Sequence, residues 1–136
     1  MNESPGMKRH RKTRADHASE VAEDYVEAIA EISNVNGVCR VVDLAARFGV
    51  SAVTVNRTVA RLVRDGYAST LPYSPVRLTA EGAKLAKQSK RRHEIVYEFL
   101  IGIGVSPATA AIDAEGIEHH VSPETLRKFQ AMTKSK

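Results

Sequence analysis

The sequence predicts a mainly α-helical protein: an N-terminal winged helix-turn-helix with a small β-wing, followed by an all-helical dimerisation domain. Three observations point there. Two apolar-periodic segments meet at a glycine within "RVVDLAARFGVSAVTVNRTVARLVRDG" (Arg40–Gly66). Next comes "YASTLPYSPVRLT" (Tyr67–Thr79), strand-like at both ends with two prolines between. From Thr79 onward only helical periodicity follows, with two Ser-Pro pairs as starts.

Taken in order, residues 1–18 form a basic stretch without hydrophobic periodicity and are expected to be a disordered arm. A first helix is expected from Ser19, as N-cap, to about Val35, closed by "NVNG". Its apolar stripe is Val21, Tyr25, Ala28, Ile29 and Ile32. Asp24 and Glu27 lie beside that stripe, whereas Glu20, Glu23 and Glu31 read as solvated charges. Val42–Phe48 is a short helix, Gly49 supplies the turn, and Ser51 caps a second helix to about Arg64, stopped by Gly66. Val53, Val59, Leu62 and Val63 are assigned to the core. Ser51, Thr54, Asn56, Arg57 and Arg61 remain as a polar, basic set on or near the exposed face. After the wing, a long helix runs from Thr79 to about Ile101 and carries His93 inward with Gly82, Ala86, Val96 and Leu100. Helices from Ser106-Pro107 to about His120 and from Ser122-Pro123 complete the chain. So small a helical unit leaves apolar stripes exposed, which predicts a homodimer. The expected domains are thus 1–18 (arm), 19–78 (winged helix) and 79–136 (helical dimerisation and metal binding).

Composition narrows the function. At 136 residues the chain is one domain or two very small ones. There is no apolar run long enough for a transmembrane helix and no signal-peptide h-region, so a cytoplasmic protein without a membrane partner is expected. The single cysteine, Cys39, cannot form an internal disulfide and offers no thiolate cluster. The net charge of +4 is unevenly spread. Residues 1–19 sum to +3, 20–39 to −5, 40–91 to +7 and 92–136 to −1. A basic middle section between acidic ones, coinciding with the helix-turn-helix and wing, points to double-stranded DNA as partner.

The segment "AEGIEHH" (Ala114–His120) crowds two carboxylates and two imidazoles together. On a helix, Glu115, Glu118 and His119 share one face, while His120 points elsewhere. The preceding turns of that face are Ala108, Ala111 and Ile112, so an apolar stripe turns acidic. Two readings stay open, a solvated helix end or the ligands of a cation that offsets the repelling carboxylates. His93 taken alone reads as a core histidine. Together, Asp24, Glu27, His93, Glu115, Glu118 and His119 form an inward or edge-placed set. Its four carboxylates and two imidazoles balance two divalent cations. Oxygen-rich ligation with imidazole and no thiolate suits Mn²⁺ and tolerates Fe²⁺ or Zn²⁺.

"EDYVEAI" (Glu23–Ile29), "RRHEIV" (Arg91–Val96) and "DAEGIEHHVS" (Asp113–Ser122), in this order around a winged helix, resemble the manganese transport regulators. These are the manganese-sensing branch of the diphtheria-toxin-repressor family, and the resemblance runs from about residue 19 to the end. By this match the same six residues fall on the family's metal-ligand positions. Iron-sensing relatives carry Cys where this chain has Glu115 and Met where it has Asp24, which favours Mn²⁺. The iron branch's SH3-like C-terminal domain has no room here, and the basic arm is a departure. The resemblance implies a homodimeric, metal-activated repressor of manganese-uptake genes, not an enzyme, with two Mn²⁺ per subunit and no small-molecule substrate. On that reading Thr54, Asn56 and Arg57 reach base edges of an operator, while Ser51, Arg61 and Arg77 hold phosphates. The alternatives are an iron-responsive regulator of the same family, a small dinuclear metallohydrolase, and a metal-independent winged-helix regulator.

Overall fold

The computed structural model describes residues 4–134, with the side chains of 8–18 outside the description. The elements run α1 (Pro5–Asn36), α2 (Val41–Phe48), α3 (Ala52–Arg64), β1 (Ala68–Ser69), β2 (Arg77–Leu78), α4 (Ala80–Gly102), α5 (Pro107–Ile117) and α6 (Pro123–Lys134). The chain divides into two compact units. The first comprises the chain up to Glu20 and from Gln88 on; the second is Val21–Lys87. Their boundaries fall inside α1 and α4. No helix among the described residues is long and apolar enough to cross a membrane.

Val21–Lys87 is a winged helix-turn-helix. Leu44 of α2, Val55, Val59 and Leu62 of α3, and Val26 and Ile29 of α1 are buried in one core. Tyr25 stacks on Phe48 with ring centroids 4.4 Å apart. Gly49 makes the turn between α2 and α3 at φ 64°, a left-handed conformation that costs a side chain with a Cβ. Ser51 caps α3, its Oγ accepting from the Thr54 N–H at 3.2 Å. β1 and β2 pair antiparallel, Ala68 with Leu78 and Ser69 with Arg77, and an isolated bridge ties Cys39 to Val76 at the base of the wing. Thr79 closes the wing and opens α4. Its hydroxyl donates to the Gly66 carbonyl at 2.6 Å and accepts from the Gly82 N–H at 3.1 Å.

Cys39 is fully buried, and burial, with Asp43 adding to it, pushes its thiol from 9.0 up to about 11. At pH 8 the thiolate population then falls about 100-fold below that of the unfolded chain. Iodoacetamide should therefore leave the native protein unmodified over times that fully alkylate it in denaturant. Equal rates in both states would show the thiol to be accessible.

The other unit holds the start of α1, α4 from Gln88 on, α5 and α6, with Phe99 stacked on Phe129 at 4.0 Å. Ser122 caps α6 by accepting from the Thr125 N–H, while Ser106 makes no side-chain cap to α5.

Five expectations need correction. The first helix starts at Pro5, not Ser19, and takes in most of the stretch expected to be disordered. Ser4-Pro5 is a third Ser-Pro start, with the Ser4 Oγ accepting from the Met7 N–H at 3.1 Å. In α3 the core register is Val55, Val59, Leu62; Val53 and Val63 are exposed. Glu23 is buried, because it continues the Val26–Ile29 stripe at three-residue spacing. On α5 the buried stripe is Ala110 and Ala114, whereas Ala108, Ala111 and Ile112 are exposed. Finally, α5 ends at Ile117, and Glu118–His120 form a turn.

Candidate functional site

The chemistry-bearing cluster of the α4–α6 unit follows from two buried stripes. His93 sits on α4 in register with the buried Ala86 and Val96. On α5, Ala110, Ala114 and Glu118 are spaced four apart and all are 0% exposed, so the core stripe ends in a carboxylate. Glu118 is the C-cap of α5, its N–H donating to the Ala114 carbonyl at 3.0 Å.

Glu118 Oε1 lies 3.6 Å from His93 Nδ1 and 3.7 Å from His119 Nε2. Glu115 Oε1 lies 3.5 Å from the same His93 Nδ1. The His119 and Glu118 side chains are 1% and 0% exposed, that of His93 23%, and that of Glu115 59%. Ligand atoms of His93, Glu115 and Glu118 all lie within 4.8 Å of one another. His93 Nδ1 is buried and makes no hydrogen bond among the described residues.

These features fit a divalent cation. Ligand atoms about 2.0–2.6 Å from a hard cation stand some 3–4 Å apart, close to the spacing here. A buried carboxylate is costly to desolvate, and its cost is offset by positive charge beside it. Imidazole nitrogen with carboxylate oxygen, and no sulfur, suits Mn²⁺, Fe²⁺ or Zn²⁺. His93 aims its Nδ1 at both glutamates, which a core histidine has no need to do.

The other unit carries the remaining expected residues. Asp24 and Glu27 sit on α1, three apart and half-buried. Asp24 lines a cavity of about 470 Å³ with Tyr25, Phe48, Thr54, Arg57 and Arg61. Thr54, Asn56, Arg57 and Arg61 are exposed along α3, Ser51 at its cap and Arg77 on β2. Among the described residues Arg57, Arg61 and Arg77 make no ion pair, whereas Arg47 is paired with Glu31 and Arg64 with Asp65. Unpaired guanidinium groups on one helix and its wing are suited to phosphates and base edges. The Ser51 and Thr54 hydroxyls are 3.1 Å apart, and that of Ser51 is engaged in capping α3.

Two residues escaped the sequence reading. His120, which points away from the Glu115–His119 face on helical spacing, has its Nε2 3.6 Å from the Oε2 of Glu20, a residue the sequence reads as a solvated charge. No local spacing signals such a pair, since it joins residues a hundred positions apart.

Two family models match the chain in succession. The iron dependent repressor N-terminal DNA binding domain matches residues 17–76, and the iron dependent repressor metal binding and dimerisation domain matches 79–135. The transcriptional regulator MntR of Escherichia coli O157:H7 is 47% identical over 133 residues, 98% of this chain and 86% of the relative. That of Salmonella typhimurium strain LT2 is 49% identical over 123 residues, 90% of this chain and 78% of the relative. The HTH-type regulator MntR of Lysinibacillus sphaericus is 39% identical over 107 residues, 79% and 77% of the two chains. Among solved structures, a manganese-dependent transcriptional repressor in complex with manganese superposes with a TM-score of 0.75 at 28% identity, over 83% of this chain and 52% of that one. The manganese regulator SloR shares the fold, with a TM-score of 0.73 at 24% identity over 85% of this chain and 54% of that one. The protein spans about half the length of those two solved chains. With a DNA-binding and a metal-binding family domain in succession, and nearly half its residues identical to MntR over most of its length, the protein belongs to the MntR-like branch of the iron-dependent, or diphtheria-toxin, repressor family.

Proposed function

We propose that the protein is a manganese-responsive transcriptional repressor that binds operator DNA as a homodimer in the cytoplasm and controls manganese-uptake genes. The observation that carries this reading is the wholly buried Glu118 carboxylate beside two imidazoles, with Glu115 near the same nitrogen. The family is one of repressors, not enzymes, so the hydrolase alternative is set aside.

Residues 19–78 would read DNA, and 79–136 would dimerise and hold metal. The ligand set is His93, Glu115, Glu118 and His119, joined by Asp24 and Glu27 of α1. It would accommodate two Mn²⁺ per subunit, with Fe²⁺ or Zn²⁺ as substitutes. Bound cations supply the positive charge that offsets the carboxylates. Because the ligands come from both halves of the sequence, ordering them couples metal occupancy to the DNA-reading helix. In the dimer, two copies of α3 meet successive major grooves about 34 Å apart. Thr54, Asn56 and Arg57 contact base edges; Ser51, Arg61 and Arg77 contact phosphates.

The test is a binding titration on a duplex selected by the protein from a random pool in Mn²⁺, repeated after chelation. Coupling of this kind amounts to about 5–150-fold in affinity. Equal binding with and without chelator would remove the sensor reading. Parallel titrations with Fe²⁺ and Zn²⁺ at matched free concentration decide the metal.

A further inference from the structure

We propose that Glu20 is a further metal ligand, sharing a cation with His119, and that His120 holds its carboxylate in place. This rests on the metal-binding reading above and adds to it a ligand outside the set named there.

Glu20, His119 and His120 belong to one compact unit. A carboxylate oxygen of Glu20 and a ring nitrogen of His119 lie within 4.8 Å of each other. His120 Nε2 stands 3.6 Å from Glu20 Oε2. Ligand atoms on opposite sides of one cation are about 4–5 Å apart, so a single ion reaches both Glu20 and His119. Two local features bring the three residues together. Because α1 starts at Pro5, Glu20 lies inside a regular helix and not in its first turn, which fixes its position from both sides. It stands four residues before Asp24, on the same face of that helix. Meanwhile α5 ends at Ile117. On a continued helix His119 and His120 would point about 100° apart. In the turn that replaces it, both approach the same carboxylate.

The surroundings favour ligation over a surface ion pair. Side-chain exposure is 30% at Glu20 and 1% at His119. Among the described residues no Lys or Arg pairs with Glu20, whereas Glu31 of the same helix is paired with Arg47. His119 stands between two carboxylates, Glu118 with its Oε1 3.7 Å from Nε2, and Glu20. A neutral imidazole offers one N–H and one lone pair. It satisfies one carboxylate by hydrogen bonding, and the other only through a cation. His120 then engages the Glu20 carboxylate from outside, as the partners of metal-bound carboxylates do. The added oxygen also bears on selectivity. Mn²⁺ suits a larger, oxygen-rich shell, while Zn²⁺ is satisfied by four ligands, so Glu20 favours Mn²⁺ over Zn²⁺.

The experiment uses the full-length protein with Mn²⁺ and Zn²⁺ as probes. It compares wild type with Glu20→Gln, His120→Ala and Glu124→Gln, the last an exposed carboxylate of α6. Readouts are bound Mn²⁺ per subunit by electron paramagnetic resonance, affinity for each metal at low and high salt, and the metal-free Tm. Glu20→Gln should melt with wild type in chelator. At Mn²⁺ concentrations that just saturate wild type it should lose one bound ion, its affinity there falling by about 10–100-fold. Its Zn²⁺ affinity should fall less. The loss should persist in about 1 M salt, where a Debye length of about 3 Å screens through-space charge effects. His120→Ala leaves the ligand itself and should cost about tenfold with stoichiometry unchanged once Mn²⁺ is raised. Glu124→Gln should match wild type. Wild-type Mn²⁺ stoichiometry and affinity in Glu20→Gln, or a loss that disappears at high salt, would overturn the inference and leave Glu20 a surface charge paired with His120. Wild-type protein that binds no Mn²⁺ would instead overturn the metal-binding reading itself.

Discussion

Gly82→Ala should prevent the winged-helix unit from reaching its native packing. A Cβ at this position would stand 1.9 Å from the Tyr67 carbonyl oxygen and 2.9 Å from its carbon. Neither is the end of a flexible side chain. That carbonyl also accepts the Thr79 N–H at 3.1 Å, the bond that closes the wing onto the start of α4. Making room therefore breaks the junction or displaces α4. Overpacking against a core costs typically 1–3 kcal/mol, and against backbone the upper end applies, about 3 kcal/mol or more. For a domain of this size that lowers Tm by about 12 °C or more. Gly116→Ala is the matching control. Nothing lies within 4 Å of a Cβ there, and the gain in helix propensity is up to about 1 kcal/mol. Thermal melts of the two variants should move in opposite directions. A Gly82→Ala protein melting with wild type would show that the α4–wing junction is looser than its geometry.

The winged helix was legible because its punctuation is local. Ser51 at the α3 cap, Gly49 in the turn, and Thr79 and Ser122 as caps all stand where their chemistry requires. The same grammar was present at Ser4-Pro5, but the basic run that follows carries no apolar periodicity and so concealed a helix. The α3 register was ambiguous for a different reason. Valines at 53, 55, 59 and 63 beside Leu62 satisfy two helical stripes, and packing alone selects 55, 59 and 62. At the candidate metal centre helical spacing brings Glu115, Glu118 and His119 to one face, yet their burial differs from 59% to 0%. The four-residue spacing of Ala110, Ala114 and Glu118 governs that burial, whereas Ala111 and Ile112 suggested a different inner face. What no spacing conveys is the wing tip, where a positive φ at Tyr73 follows from the turn and not from side-chain pattern.

Glu118→Gln should uncouple folding from metal. The substitution keeps the size of the side chain and removes its charge, so packing around the 0%-exposed position is retained. Losing even an outer partner of a metal ligand costs 10–100-fold in metal affinity, and losing a charged ligand costs about 100-fold or more. Mass action makes this visible without DNA. A ligand at 100 times its dissociation constant stabilises the native state by about 2.7 kcal/mol, and at its dissociation constant by only some 0.4 kcal/mol. Wild-type protein should therefore gain several degrees in Tm on addition of Mn²⁺, while Glu118→Gln gains about one degree or none at the same concentration. In the presence of chelator the order reverses or levels. A buried carboxylate costs desolvation that a neutral amide largely avoids, so metal-free Glu118→Gln should melt at or above wild type. These two results together separate a ligand from a structural carboxylate. A Glu118→Gln protein that loses stability without metal and keeps the Mn²⁺ shift would show that Glu118 serves the core, and that the cation lies elsewhere.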